Sequence, residues 1–271
     1  MTQLQRLLAH QKQHWDQLLK AATQSDTAAG SQPEQHLIIR NVNGSPRYYV
    51  RNNENPRREK YLSMKKDSAC IQTIAQKSYE QQLLQTAQKQ SALISGFLAA
   101  YSETAGADLY AGLRDERRAL ITPLEPDYRY YLEVWANVPY EPGFFDEHMP
   151  LITTERNERV RSKSEKIAAD LYLRRQLAYR YEYPLVLRDG DHMVTLRPDF
   201  TVVSRQDLCI YYHEHLGSMD DPKYVNSALE RLRIYISNGI FPGDRLLLTF
   251  ETKQRPLNDQ QLLPLLHRYL L

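Results

Sequence analysis

The stretch RPDFTVVSRQDLCIYYHEHLG, Arg197–Gly217, predicts two short β-strands joined by a polar turn. Each predicted strand carries one acid, Asp199 in the first and Glu214 in the second, among apolar and aromatic neighbours. Acidic residues are depleted in strands because they fit poorly on a half-buried pleated surface. Each acid therefore either lies at a frayed strand end or is required by a site.

The pairing of these two strands decides whether the acids meet. If residues 205–208 form the loop, Ser204 pairs with Cys209. The same register sets Asp199 opposite Glu214 on one face, with their Cβ atoms about 5 Å apart, whereas another loop length shifts the pairing by two residues. Two carboxylates that close repel, and the pKa of one rises unless a cation lies between them. Mg²⁺ suits that position because it is a hard cation that binds one or two carboxylates together with waters and phosphate oxygens.

Composition places the chain among ordinary globular proteins. Its 271 residues are 42% hydrophobic and 25% charged, enough for one large domain or two small ones. The net charge of +2 excludes a basic field over the whole molecule, so nucleic acid would have to bind at local patches. The longest mostly apolar stretch, 92–101, is far shorter than the ~20 residues of a membrane span, and no signal peptide is expected. With only two cysteines, Cys70 and Cys209, we expect a cytoplasmic protein with reduced thiols and no membrane partner.

The first 150 residues predict a mostly helical region with one β-hairpin, which could select a substrate or dock a protein partner or a second copy of the chain. The hairpin turns at Asn43-Gly44, a dipeptide typical of two-residue turns. The predicted helices are 1–24, 58–101 and 108–119, and the hairpin lies near 36–51. A polar linker covers 25–35, and an irregular connector with at most one short strand covers 121–150.

The predicted secondary structure changes after Pro150, where strand-like patterns become frequent. This change predicts a second domain, 151–271. Its patterns follow the order helix, three strands, helix, strand, which is typical of a mixed sheet flanked by helices, an α/β (α+β) fold. The predicted helices are 162–176 and 223–238, and the predicted strands are 179–187, 193–203, 208–215 and 245–251.

Glu165, in RSKSEKIAADLY, is a third candidate acid. It lies at the edge of the apolar stripe of the predicted helix, so its carboxylate could reach toward the sheet. The sequence Ser162-Lys163-Ser164-Glu165 is also a capping box, in which Glu165 would only satisfy the helix start. The spacing leaves both interpretations open.

Basic residues are frequent along this helix, with seven between Arg156 and Arg175. Such a charge run usually forms a solvated helix face. Beside paired carboxylates it also supplies what a phosphodiester backbone requires. The candidate nucleic-acid-binding residues are Arg161, Lys163, Lys166 and Lys223.

Six motifs in order, SKSEKIAADLY, YEYPL, RPDF, EHLG, NGI and LLLTFE, resemble the core of the PD-(D/E)XK nuclease superfamily, within residues 153–254. The closer likeness is to uncharacterised bacterial and phage proteins with the same series of motifs. The resemblance implies a restriction-endonuclease-like core and hydrolysis of phosphodiester bonds, of DNA rather than RNA, with Mg²⁺ or Mn²⁺. It also implies that Asp199 and Glu214 bind the metal and that Glu165 is the acid supplied by the first core helix.

The chain departs from the family pattern two residues after Glu214, where Leu216 replaces the expected lysine. Arg231 shares a predicted helix face with Tyr224, Ala228 and Tyr235, so it could point inward and replace the lysine charge. Arginine stays protonated and is therefore a poor general base.

Alternatives to a lysine base are His215, Lys223, or a water activated by the metal without any protein base. His215 is expected on the strand face opposite Glu214, together with His213. Glu182 in YEYPL could assist the metal-binding acids or form a cross-strand pair, and Glu251 could be a charge at the sheet edge.

Three functions fit these observations. The first is a metal-dependent nuclease, favoured by the three acids. The second is a catalytically degenerate nuclease fold that binds nucleic acid or a protein, favoured by Leu216. The third is an interaction protein that acts through its helical N-terminal half, with residues 151–271 as a scaffold.

Overall fold

The computed structural model describes residues 2–28, 35–52, 58–141, 143–145 and 150–271. The chain is a mixed α/β protein with helices and several small sheets, divided into the compact units Gln3–Tyr101 and Ser102–Leu271. This division lies earlier than the boundary at residue 150 expected from the sequence. Part of the reason is Tyr128, whose hydroxyl donates to the Val203 carbonyl and accepts from the Ala178 amide of the second unit.

The first unit combines two long helices with a small antiparallel sheet in the order β1-β2-β3. The hairpin turn at Asn43-Gly44 is confirmed, and both residues have positive φ, 51° and 77°. The helix predicted from residue 58 is wrong at its start, which forms a third strand instead. The predicted linker differs too, because the first helix continues to Ala28 and residues 29–34 lie outside the described residues. The elements are α1 Gln3–Ala28, β1 Gln35–Val42, β2 Ser45–Asn52, β3 Glu59–Leu62 and α2 Ser68–Ala100.

Residues 102–141 form short helical segments. The single helix predicted over 108–119 is replaced by α3 Ala105–Ala111 and α4 Asp115–Arg118. The connector predicted as irregular contains α5 Tyr128–Glu133, which begins after Asp127, whose side chain accepts from the Tyr130 amide. A 3₁₀ turn follows at Trp135–Asn137.

The second unit contains the predicted mixed sheet flanked by helices. Four strands form the sheet in the order β11 (Leu246–Phe250), β10 (Ile210–Leu216), β9 (Phe200–Val203) and β6 (Tyr179–Tyr181). Strands β10 and β11 are parallel, and the other pairs are antiparallel. Strands β7 and β8 form a separate hairpin. The elements are β4 Ile152–Thr153, β5 Arg159–Val160, α6 Lys163–Arg174, β6 Tyr179–Tyr181, β7 Leu185–Asp189, β8 His192–Leu196, β9 Phe200–Val203, β10 Ile210–Leu216, α7 Pro222–Ser237, β11 Leu246–Phe250 and α8 Asp259–Tyr269.

Two strands predicted as continuous are each broken in the structure. The strand predicted over 179–187 separates into β6 and β7, and the strand predicted over 193–203 separates into β8 and β9. Each break contains a proline, Pro184 or Pro198. Proline lacks the N–H that a central strand donates to its neighbour, so it ends the pairing at both places.

The sheet separates two apolar clusters. Phe200 and Val202 of β9 pack with residues of α6 and α8 on one face. Leu246 of β11 packs with Tyr235 of α7 and Leu187 of β7 on the other. Helix α8, which the sequence did not reveal, closes the first cluster. Within the described residues, no helix is long and apolar enough to cross a membrane.

Candidate active site

The β9–β10 hairpin has the register that the sequence predicts. The amide of Ser204 donates to the carbonyl of Cys209 at 2.9 Å, and Phe200 pairs with His213. Asp199 directly precedes β9, so this register brings it beside Glu214. Its Oδ2 accepts from the His215 amide at 2.6 Å, which ties the end of β9 to β10.

A cleft of about 530 Å³ opens at this end of the sheet. It brings together all four predicted catalytic residues, and the candidates Arg161, Glu182 and His215 also line it. The predicted nucleic-acid-binding lysines are not among its lining residues. Lys163 and Lys223 are exposed, and Lys166 pairs with Asp170 at 2.9 Å. The predicted catalytic residues that line the cleft are Glu165, Asp199, Glu214 and Arg231.

Burial and neighbouring charges shift the pKa values of Asp199 and Glu214. Burial raises the pKa of Asp199 well above its usual value, and the nearby carboxylates of Glu214 and Glu165 raise it further. Burial also raises the pKa of Glu214, against the lowering effects of Arg231 and Tyr235. Arg231 donates to Glu214 Oε1 at 2.5 Å, and the Tyr235 hydroxyl donates to the same oxygen at 2.6 Å. Within the described part of the chain, no donor occupies Asp199 Oδ1 or Glu214 Oε2.

The contacts of Glu165 distinguish between the two interpretations that its spacing left open. The Ser162 hydroxyl accepts from the Glu165 amide at 3.1 Å and so caps α6. The carboxylate of Glu165 accepts from the Arg161 amide at 2.8 Å and from the Tyr181 hydroxyl at 2.6 Å. Glu165 therefore lies at the helix start, and its side chain is directed into the cleft by β6.

Arg231 points into the cleft from the predicted face of α7, with Tyr224, Ala228 and Tyr235. Its Nη2 also donates to the Arg197 carbonyl at 3.1 Å. Burial lowers its pKa, but the carboxylates of Glu214 and Asp199 outweigh that effect and raise it. The guanidinium is therefore a permanent positive charge beside the acids and not a base.

A second ion pair lies at the edge of the cleft. Arg161 donates to both carboxylate oxygens of Glu182, at 2.5 and 3.0 Å, and its guanidinium lies over the Phe145 ring. Arg197 donates to the Glu182 carbonyl at 3.0 Å. Glu182 is thus paired with an arginine, so it borders the site as a charge-compensated group.

A buried hydrogen-bond chain runs beneath the cleft. The Tyr172 hydroxyl lies 2.7 Å from His213 Nδ1, and His213 Nε2 lies 2.8 Å from Thr249 Oγ1. Thr249 Oγ1 also lies 2.9 Å from His215 Nδ1. His215 Nε2 faces Glu251 Oε1 at 3.4 Å.

The protonation states of Tyr172 and His213 determine which group donates in each of these hydrogen bonds. Burial, and then His215, lower the pKa of His213 to about 3, while burial raises that of Tyr172. Tyr172 therefore donates to a neutral His213, which donates to Thr249, which donates its single proton to His215 Nδ1. With Nδ1 accepting from Thr249, His215 carries its proton on Nε2, so it presents a donor toward Glu251 and lacks a free lone pair to act as a base.

Sequence reasoning missed Tyr172, Thr249 and the place of Glu251. Glu251 accepts from the Ser164 hydroxyl and the Leu257 amide, both at 2.7 Å, and lines the cleft. Burial raises its pKa, but these donors and His215 together lower it, so it is an ionised member of the site. The alternation of His213 and His215 in HEH was an available signal, because it places both rings on one buried face.

The cleft contains carboxylate oxygens, which are the donor type that hard divalent cations bind. Asp199, Glu214 and Glu165 each have one oxygen held by a protein donor. Five acids and three arginines line the cleft, so its formal charge is −2 when all are ionised, equal and opposite to one Mg²⁺. Among the described residues, no group of three or more His, Cys, Asp or Glu side chains is arranged so that it could hold a metal ion as it stands.

Comparison with known proteins returns no assignment. No protein-family model matches the chain, and neither the curated proteins nor the solved structures give a match. The residues of the cleft are therefore the basis for assigning a function.

Proposed function

We propose that this chain is a metal-dependent nuclease of the PD-(D/E)XK type that hydrolyses phosphodiester bonds, of DNA rather than RNA. Asp199 and Glu214, with Glu165, would hold Mg²⁺ or Mn²⁺. The observation that carries the proposal is the convergence of the three carboxylates of Asp199, Glu214 and Glu165 on one cleft, where burial and mutual repulsion raise the pKa of Asp199. Acids held in mutual repulsion at a cleft are typical of functional sites.

The residues of the cleft have separable roles in this proposal. When bound, the cation supplies Lewis-acid activation of the attacking water and of the phosphoryl oxygens. Tyr235 and Arg231 hold Glu214 ionised in its buried position. The guanidinium of Arg231 also adds positive charge where a phosphoryl group gains negative charge, which replaces the charge of the missing lysine but not a base.

A cleavage assay tests the proposal directly. The purified full chain is incubated with single-stranded DNA, double-stranded DNA and RNA in Mg²⁺, Mn²⁺ or EDTA. We expect cleavage with either metal, none in EDTA, and none by Asp199→Asn. The matched control is Asp191→Asn, the same change at an exposed acid in the β7–β8 turn. Cleavage by Asp199→Asn at the wild-type rate, or in EDTA, would contradict the proposal.

The alternative is a nuclease fold that has lost cleavage and binds nucleic acid or a protein partner. Leu216 favours it, because a lysine is expected at that position of the family motif. Tight, salt-sensitive binding without cleavage in either metal would support this alternative. A role of the first unit in binding a partner or a second copy stays a prediction.

A further inference from the structure

One wall of the cleft is apolar and has no role in the proposed chemistry. It consists of Leu216 at the end of β10 and of Tyr224, Ala228 and Leu232 of α7, and we call these four residues the apolar wall. Ala228 is buried, at 6% exposure, while the other three are partly exposed. The apolar wall stands next to Arg231, which is one position before Leu232 in the chain.

Tyr224 is held as a fixed surface at this wall. Its hydroxyl accepts from the Gly217 amide at 3.0 Å, which anchors the far end of the ring to the turn after β10. A ring fixed in this way loses little further freedom when a flat ligand stacks on it. Partly exposed apolar groups beside convergent charged groups are typical of ligand sites.

The dimensions of the cleft restrict what can reach this wall. Its volume of about 530 Å³ is in the range of pockets for small molecules, ~300–1,000 Å³. A pocket of this size can hold one or two nucleotides. A base that is stacked and paired within a duplex is not available to enter it. Enzymes that bring a base into a pocket act on single strands or extrude the base from the helix.

We propose that the apolar wall seats an unpaired nucleobase of single-stranded DNA, stacked on Tyr224, while the adjoining phosphate lies at Arg231 and the carboxylates. This inference rests on the proposed function and names its substrate class. It also gives Leu216 a role, since the residue that replaces the lysine adds apolar surface where the base would lie. Base stacking on an aromatic side chain tolerates any base, so we expect little sequence preference.

The test is equilibrium binding, measured by fluorescence anisotropy on the full chain carrying Asp199→Asn, which keeps the oligonucleotide intact. The probes are one labelled DNA sequence as a single strand and as a blunt duplex, and the same sequence as single-stranded RNA. We expect the single-stranded DNA to bind most tightly. Adding Tyr224→Leu should weaken that binding roughly 5- to 150-fold, the usual effect of losing one stacked base, and leave duplex binding unchanged.

Two further variants keep the result interpretable. Tyr224→Phe retains the ring but not the hydroxyl, and it should bind single-stranded DNA nearly as the parent does. Tyr130→Leu makes the same change as Tyr224→Leu at a partly exposed tyrosine that is not among the residues lining the cleft, and it should have no effect. Equal binding of duplex and single strand, or no effect of Tyr224→Leu, would overturn the inference, and tighter binding of RNA would overturn the assignment to DNA.

Different experimental results would rule out the base site and the nuclease activity. Metal-dependent cleavage of duplex as fast as of single strands, unaffected by Tyr224→Leu, would keep the nuclease and remove the base site. Single-strand binding that depends on the Tyr224 ring, without cleavage in any metal, would keep the base site and remove the nuclease.

Discussion

Arg231 Nη2 lies 2.5 Å from Glu214 Oε1 and so joins the middle of α7 to the end of β10. The two ends of this ion pair differ, because the side chain of Glu214 is 4% exposed and that of Arg231 is 42% exposed. The arginine thus neutralises a buried acid from the solvent side. The cleft therefore holds a positive charge in direct contact with its buried acid.

Removing Arg231 should destabilise the fold. Arg231→Met leaves the buried Glu214 with the Tyr235 hydroxyl as its remaining side-chain donor among the described residues, and we expect a loss of about 2 kcal/mol in the free energy of unfolding. This is less than the ~3–5 kcal/mol for a fully buried pair because the arginine is partly exposed. Urea unfolding measures it. The control is Arg233→Met, which breaks only surface pairs with Asp189 and Glu230 and should cost about 0.5 kcal/mol; equal losses would contradict the expectation.

The raised pKa of Asp199 predicts a pH dependence of stability. The folded chain holds this proton more tightly than the unfolded chain, so stability falls as pH rises from the ordinary aspartate pKa through the raised one. Asp199→Asn removes the ionisation and should be more stable than the wild type at neutral pH in EDTA, with a flatter profile. Free energies of unfolding measured between about pH 4 and 8 would show this. Their slope against pH should reach at most ~1.4 kcal/mol per pH unit. A wild-type profile parallel to that of the variant would count against it.

A divalent cation should stabilise the folded chain. Mg²⁺ that binds only the folded state adds ~2.7 kcal/mol when its free concentration is about 100 times Kd. We expect the melting temperature of the wild type to rise with Mg²⁺ and to return with EDTA. Asp191→Asn should respond like the wild type, and Asp199→Asn should respond weakly or not at all. The same rise in both variants would place any bound cation elsewhere.

The buried hydrogen-bond chain predicts a defined tautomer for each histidine. Nitrogen NMR shifts should show His213 and His215 unprotonated at Nδ1 and protonated at Nε2, and His213 should not titrate above about pH 5, because its pKa is about 3. Tyr172→Phe should remove the donor to His213, disturb these shifts and cost about 1–3 kcal/mol.

Tyr179→Phe is the matched control for that change. It also removes a hydroxyl from a buried tyrosine, but one that donates to Glu158 at 2.7 Å. It should destabilise the chain and leave the histidine shifts unchanged. Histidine shifts that are the same in Tyr172→Phe and the wild type would contradict the direction assigned to the hydrogen bonds.

Relationships within one hairpin or helix could be predicted from the sequence. The pairing that brings Asp199 to Glu214 follows from the turn length and from period-2 alternation. The direction of Arg231 follows from the helical period that it shares with Tyr224 and Ala228. Both depend on neighbours close in the chain, so their geometry is set locally.

Relationships between distant elements could not be predicted in this way. The hydrogen bond of Tyr172 to His213 requires α6 to pack on the sheet, and that of His213 to Thr249 requires β11 to pair with β10. No local pattern encodes either distance. The breaks at Pro184 and Pro198 are different, since proline in a predicted central strand was itself evidence against continuity.

The crossover from β10 through α7 to β11 has a consequence for folding. Glu214, Arg231, Tyr235 and Thr249 all belong to residues 210–250, so the acid, its counter-ion and its hydroxyl donor lie in one continuous segment. Closing such a short loop costs less entropy than joining distant parts of the chain. The charge of Glu214 can therefore be compensated as this segment condenses, and a chimera that received residues 210–250 as a single graft would receive the acid already paired with its arginine.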